Sequence, residues 1–80
     1  MILKPVTSEK VVRMMDMDNT LVFEVERKTK KEEAKKEVEK VFKVKIEKIR
    51  SSIKKNKKFV YVKLKKENPA IDVATKLGMI

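Results

Sequence analysis

Cysteine and histidine are both absent from this 80-residue chain. Without thiolates or imidazoles it can form no zinc finger, disulfide or Ser-His-Asp triad. Its single glycine, Gly78, excludes a glycine-rich loop that could cradle phosphates. Residues 16–19 begin like a calcium loop, but no glycine or closing glutamate follows at the required spacing. We therefore expect a protein that is not an enzyme and has no metal, cofactor or small-molecule substrate.

Long apolar runs are missing as well. No stretch approaches the roughly 18 apolar residues of a membrane-spanning helix, and the N-terminus lacks the apolar segment of a secretory signal. We expect no membrane insertion and a cytoplasmic location. A length of 80 residues predicts a single domain, 1–80, and 41% hydrophobic residues can form a small core although 42% are charged.

Positive charge is in excess, and it is concentrated in the middle of the chain. Residues 27–66 hold 18 Lys/Arg against 5 Asp/Glu, whereas residues 1–26 hold 3 against 5 and residues 67–80 hold 1 against 2. A local surplus of this size indicates a polyanionic partner, and nucleic acid is the first candidate. Lysine outnumbers arginine 19 to 3, which suits contacts to phosphates better than bidentate contacts to base edges.

Two clusters, at residues 27–31 and 54–58, carry most of the argument for nucleic acid. Neither contains an acidic residue. Like charges so close together repel one another unless a polyanion neutralises them. By contrast, the lysines of the intervening helix have acidic neighbours at helical spacing, as a solvated face does. The residues predicted to bind RNA phosphates from the two clusters are Arg27, Lys28, Lys30, Lys31, Lys54, Lys55, Lys57 and Lys58.

Hydrophobic periodicity predicts three helices and three strands. The helices are expected over residues 9–16, from the Thr29 cap to about residue 42, and from Pro69 to a stop at Gly78. The strands are expected over residues 20–26, 44–53 and 59–65. One helix bridging two strands, followed by a hairpin, predicts an α+β fold with a split βαβ unit. Its three-stranded, mainly antiparallel sheet is packed on helices.

The helix ends and faces can also be predicted. Thr7 or Ser8 caps the first helix, and residues 16–19 form a turn after it. Thr29 and Glu32 form a capping box at the second helix, and Asn68 caps the third. The apolar face of the second helix consists of Ala34, Val38, Val41 and Phe42.

The second predicted strand changes phase along its length. Val44 and Ile46 point inward, but Ile49 and Ile53 do not share their alternation. This mismatch predicts a bulge or bend near residues 47–48.

Phe59 and Tyr61 alternate with the inward residues of the third strand. Flanked by lysines, they resemble the base-stacking platform of an RNA-recognition motif. The interpretation that we favour is that they cover the sheet against Glu24, Glu26 and Glu47. Exposed methionines that bind signal-like peptides are another possibility, although gap-filling core methionines are the more common case.

Several segments, taken in their order along the chain, resemble a known family. They are residues 2–10 (ILKPVTSEK), 19–25 (NTLVFEV), 31–35 followed by 38–39 and 42–46, and 61–64 (YVKL). Together they resemble the family of the twenty-third protein of the large ribosomal subunit, over nearly all 80 residues. The segment at 73–78 is similar to the archaeal branch.

The resemblance implies a ferredoxin-like domain that binds large-subunit ribosomal RNA beside the exit of the polypeptide tunnel. Neighbouring ribosomal proteins and factors such as the signal recognition particle or a nascent-chain chaperone are the implied partners. Glu9 matches a carboxylate that docks a chaperone in bacterial relatives. Lys10, Lys31 and Lys35 match basic positions that face RNA.

The chain departs from the family at several positions. Arg50 and Ser51 replace an Asn-Thr pair, Lys30 replaces a threonine and Phe59 replaces a lysine. We include Arg50 among the predicted RNA-binding residues. The long hairpin of bacterial relatives is reduced to about residues 52–57, which argues against contact with the chain inside the tunnel.

The resulting prediction is a structural ribosomal protein located in the cytoplasm, in the ribosome. Two alternatives remain at this point. One is a free single-stranded RNA-binding module of the RNA-recognition-motif type that uses Phe59 and Tyr61. The other is a protein-interaction adaptor whose charge serves solubility alone.

Overall fold

The computed structural model describes residues 3–76 and contains three helices and four strands in that range. The strands form one antiparallel sheet in the order β1-β2-β4-β3. Since β2 and β3 both run antiparallel to β4, they are parallel to each other, and α2 connects them as in the predicted split βαβ unit. The elements are β1 Lys4–Pro5, α1 Glu9–Asp18, β2 Thr20–Val25, α2 Lys31–Phe42, β3 Ile46–Lys54, β4 Lys57–Leu64 and α3 Ala70–Lys76.

Strand β1 makes the sheet four-stranded, so the prediction of three strands was wrong. Lys4 lies opposite Glu24 and Pro5 opposite Phe23, and the Val6 N–H donates to the Val22 carbonyl at 2.9 Å. A strand of two residues is too short to show an alternating pattern. Its position depends on hydrogen bonding to the edge of β2, and the sequence of these two residues gives no sign of that pairing.

Helix α1 begins where the sequence predicts and ends later. The Ser8 hydroxyl accepts a hydrogen bond from the Val11 N–H at 3.2 Å and caps the helix. The helix then continues to Asp18, so residues 16–18 are helical rather than part of a turn. Asn19 ends it in the left-handed conformation (φ 51°), with its N–H directed to the Met14 carbonyl.

The Asn19 side chain connects three elements. Its Nδ2 donates to the carbonyls of Leu64, Lys65 and Asn68 at 3.0–3.2 Å. Its Oδ1 accepts from the Ala70 N–H at 2.6 Å, at the start of α3. One amide thus joins the end of α1 to the end of β4 and to α3.

Helix α2 lacks the predicted capping box. It begins at Lys31, and its N-cap is Lys30, whose side chain makes no capping hydrogen bond. Thr29 is buried instead, and its N–H donates to the Glu26 carbonyl at 2.9 Å. The capping position is therefore one residue further along the chain than predicted.

The core face of α2 is narrower than predicted. Ala34 and Val38 are fully buried, but Val41 is 53% exposed, so its assignment to the core was wrong. Phe42 is partly buried and stacks on Phe23 of β2, with ring centroids 5.7 Å apart.

The predicted bulge is present in β3. The register shifts between Ile46, which pairs with Leu64, and Lys48, which pairs with Lys63. The extra residue, Glu47, restores the inward phase, since Ile49 then lies opposite the buried Val62. The predicted strand began at Val44, which is buried but precedes β3.

Helix α3 begins one residue later than predicted. Ala70 is its first residue, and the Pro69 carbonyl accepts from the Val73 N–H at 3.3 Å. Pro69 therefore precedes the helix, and Asn68 does not occupy the capping position. The predicted stop at Gly78 lies outside the described residues.

The hydrophobic core lies between the sheet and the helices. Its largest fully buried side chains are Phe23, Met15, Leu21, Leu64, Val38, Val60 and Val62. Within residues 3–76, no helix is long and apolar enough to cross a membrane.

Candidate nucleic-acid interface

The two basic clusters, far apart in sequence, meet at one end of the sheet. Val25, the last residue of β2, pairs with Lys58 of β4, which brings the β2–α2 loop beside the β3–β4 hairpin. Two hydrogen bonds connect them. Arg27 Nη1 donates to Asn56 Oδ1 at 3.1 Å, and Lys58 Nζ donates to the Thr29 carbonyl. We call the combined surface the basic end; it comprises Arg27, Lys28, Lys30, Lys31, Lys54, Lys55, Lys57 and Lys58.

The hairpin turn at the basic end is shorter than the gap, residues 54–58, between the two predicted strands. Only Lys55 and Asn56 form the turn, and both have positive φ, 50° and 65°. A two-residue loop with positive φ at both positions is a type I′ turn. Lys54, Lys57 and Lys58 lie in strands, so their side chains have defined directions.

The positive charge of the basic end is largely uncompensated. Seven of its eight side chains are exposed, and Lys58 is partly buried. Its one ion pair among the described residues joins Lys28 to Glu26 at 3.9 Å, where both side chains are at least half exposed. An ion pair between such exposed side chains contributes little to the free energy of unfolding. Lys54 also lies directly opposite Lys57, an arrangement that destabilises a sheet in the absence of an anion.

A second basic group lies on the outer face of the sheet, the face that carries Tyr61. Arg50 pairs directly with Tyr61, and Lys48 pairs with Lys63 in the next row that shares this face. Together with α1 they surround an open pocket, which we call the Tyr61 pocket. It is lined by Met14, Asp18, Thr20, Lys48, Arg50, Tyr61 and Lys63.

Sequence reasoning identified Arg50 but missed Lys48 and Lys63 as site residues. The charge pattern alone could not group them, since they come from different strands. The predicted bulge was the available signal. It places both Lys48 and Arg50 on the outer face, whereas an unbroken alternation from Ile46 would place both on the core face.

In the structure, the two aromatic residues of β4 have different cross-strand neighbours. Phe59 lies opposite Glu24 and Ser52, which agrees with a covering role against Glu24. Tyr61 lies opposite Val22 and Arg50, with no acidic residue across from it. Both rings are partly buried against the core, so neither stands free above the sheet.

The remaining predicted site residues lie on helices. Lys35 is exposed one turn after Lys31 on α2, and so extends the basic end. Glu9 and Lys10 occupy the exposed first turn of α1, and Glu9 Oε1 forms an ion pair with Arg13 Nη2 at 3.1 Å. Lys10 takes no part in the contacts that join the two clusters.

Comparison with known proteins agrees with the resemblance seen in the sequence. The family model described as ribosomal protein L23 matches residues 1–71. The large ribosomal subunit protein uL23 of Methanothermobacter thermautotrophicus is 38% identical over 79 residues, which cover 98% of this chain and 92% of that protein. A match of this extent, in order and over nearly the whole length, shows that the chain belongs to the ribosomal protein L23 family.

Proposed function

We propose that this chain binds large-subunit ribosomal RNA through its basic end, next to the exit of the polypeptide tunnel, in contact with neighbouring ribosomal proteins. Membership of the family identifies it as a structural protein of the large ribosomal subunit rather than an enzyme, acting in the ribosome in the cytoplasm. The binding to RNA, the residues responsible, the position beside the tunnel exit and the contact with neighbouring proteins are all proposed.

The main support for RNA binding is that the two basic clusters lie next to each other in the fold. Residues 27–31 and 54–58 come from different parts of the sequence, yet hydrogen bonds hold them at one end of the sheet. Exposed basic side chains brought to one end of the sheet, with a single weak acidic partner at Glu26, can contact several phosphates of an RNA backbone at once. Solubility alone requires no such convergence.

The salt dependence of RNA binding tests the basic end. We expect Lys54→Gln/Lys57→Gln to weaken binding to large-subunit rRNA and to reduce the log–log salt slope by up to about 2, since each lost phosphate contact removes roughly 0.9 on duplex. The matched control is Lys36→Gln/Lys40→Gln, which removes the same charge from exposed positions on α2. Equal effects of the two pairs would show that net charge, not the basic end, drives binding.

We also propose that the first turn of α1 is a docking surface for nascent-chain factors such as the signal recognition particle. Glu9 has a side chain 85% exposed, and residues 1–26 carry more acidic than basic residues, so this part of the chain is less suited to RNA. The β3–β4 hairpin extends past the end of β2 only from the Val25–Lys58 pair to the Lys54–Lys57 pair and its turn, which supports an interface at the exit rather than inside the tunnel.

The rival function is a free single-stranded RNA-binding module that uses Phe59 and Tyr61. It predicts that Phe59→Ala and Tyr61→Ala each cost roughly 1–3 kcal/mol of RNA affinity. Phe59 is partly buried opposite Glu24, a poor position for stacking a base that is linked to phosphates. The ribosomal function predicts instead that the lysines of the basic end matter most.

A further inference from the structure

The Tyr61 pocket combines an aromatic ring with an excess of positive charge. Three of its lining side chains, Lys48, Arg50 and Lys63, are cationic, and one, Asp18, is acidic. Lys48 and Lys63 lie directly opposite each other across β3 and β4. Like charges in that arrangement destabilise a sheet, and a bound anion would remove the penalty.

Tyr61 is held at the centre of this group. Arg50 is its direct cross-strand partner, and Lys63 follows two residues later on the same face. The ring packs partly on the core, which fixes its position and leaves the remainder accessible. An aromatic ring fixed beside cations is suited to stack a base whose phosphate the cations bind.

The size of the pocket limits what it can hold. It encloses about 280 Å³, near the lower end of the roughly 300–1,000 Å³ of pockets for small organic ligands. Phe59 does not line it, so there is one stacking ring rather than the two or three of an RNA-recognition motif. The dimensions therefore fit one nucleotide and not a run of stacked bases.

We propose that the Tyr61 pocket binds a single unpaired nucleotide of large-subunit rRNA, with its base stacked on Tyr61 and its phosphate bound by Lys48, Arg50 and Lys63. This inference rests on the proposed RNA binding of the chain and adds a second contact to the basic end. RNA bases that are unstacked in loops and bulges are the ones that aromatic side chains bind.

Affinity for protein-free large-subunit rRNA, measured with the full chain at several salt concentrations, tests the pocket. Tyr61→Leu should weaken binding about tenfold, the scale of one lost base stack, with no change in salt slope. Tyr61→Phe keeps the ring and should bind like the wild type. Phe59→Leu is the matched control on the same strand and should also bind like the wild type.

The salt dependence of binding tests the lysines of the pocket separately from the ring. Lys48→Gln/Lys63→Gln should reduce the salt slope by about 0.7 for a single-strand phosphate. Ultraviolet cross-linking followed by peptide mapping should place a nucleotide on the peptide that contains Tyr61. Thermal unfolding of every variant identifies any loss of affinity that arises from unfolding, and the cross-link to the wild-type protein tests the pocket independently of any variant.

Wild-type affinity of Tyr61→Leu, with no cross-link at Tyr61, would overturn the pocket proposal. If Lys54→Gln/Lys57→Gln still weakened binding in the same assay, the proposed function would stand without the pocket. If Lys48→Gln/Lys63→Gln kept its RNA affinity but lost binding to a polyglutamate peptide, the pocket would hold a protein carboxylate, which also contradicts the proposal.

Discussion

Asn19 makes more side-chain hydrogen bonds than any other residue in the described part of the chain. It ends α1 with a left-handed backbone, and its side chain makes four hydrogen bonds to residues 45 to 51 positions away. Asparagine tolerates this conformation better than most residues, and its amide both donates and accepts. The backbone of Asn19 also accepts from the Leu64 N–H at 3.0 Å. Few other side chains could satisfy all these groups.

We expect Asn19→Gly to lower the free energy of unfolding by about 2–3 kcal/mol, because it keeps the backbone conformation but loses several hydrogen bonds worth roughly 1 kcal/mol each. Asn19→Ala should cost about 1 kcal/mol more, since alanine is strained at positive φ. Urea denaturation measures both.

The control for Asn19 is Asn56→Gly. Asn56 also has positive φ, but its side chain makes one exposed hydrogen bond, to Arg27. This substitution should change stability by less than about 0.5 kcal/mol. If the two glycine variants were equally stable, the Asn19 side chain would contribute nothing to the joining of the elements.

The N-terminus of α1 offers a test of which hydroxyl caps the helix. Ser8→Ala should cost about 1 kcal/mol, because the Val11 N–H loses its acceptor. Thr7→Ala should be nearly neutral, since Thr7 is exposed and precedes the cap. Sequence alone left both residues as candidates. Equal losses in thermal unfolding would contradict the observed cap.

Among the elements, the β3–β4 hairpin gives the basic end its shape. Its turn places Lys55, a residue with a bulky side chain, at φ 50°. Type I′ turns favour glycine or asparagine at both positions, so Lys55 is strained where Asn56 is not. Lysine at this position therefore lowers the stability of the turn relative to glycine.

Replacing Lys55 with glycine should relieve that strain. We expect Lys55→Gly to raise the free energy of unfolding by about 0.5–1 kcal/mol. Lys54→Gly removes the same charge from within β3 and should lower stability by a similar amount, because glycine weakens a strand. Chemical denaturation at high salt, where charge repulsion is screened, compares the two. A loss of stability in Lys55→Gly would contradict the turn geometry.

The elements also show what local sequence can predict. Helix α2, β2 and the bulge at Glu47 were predicted because apolar periodicity and its phase change are local signals. Strand β1 was missed because two residues carry no period. The α2 cap was misplaced because Thr29 is buried beside Lys58, and that contact spans 29 residues.

The same distinction applies to the site. The lysines of the basic end were predicted from composition, since clusters without acids are visible in the sequence. That the two clusters meet, and that Lys48 joins Arg50 and Lys63 around Tyr61, depends on strand register. Register is set by the packing of the whole sheet and not by any one segment.

At the scale of the whole molecule, charge is divided between two parts of the chain. The excess of basic residues lies in the part that contains α2, β3 and β4, whereas residues 1–26, with β1, α1 and β2, carry a small acidic excess. The basic part holds both the basic end and three cationic side chains of the Tyr61 pocket. Under the proposed function, the exposed Glu9 on α1 contacts a protein factor while the basic part contacts RNA.

This division predicts that reversing the charge of Glu9 separates factor docking from assembly. Glu9→Lys should weaken the binding of signal recognition particle to large subunits several-fold, because a lysine on this turn repels basic groups that an exposed carboxylate attracts. Incorporation into the subunit should be unchanged. The matched control is Glu33→Lys, which makes the same charge change at an exposed first-turn glutamate of α2. Both variants raise the net charge by two in the first turn of a helix, so a difference in factor affinity reports on the surroundings of Glu9, including its ion pair with Arg13, and not on net charge. Equal affinities of the two variants for the particle would contradict docking at α1.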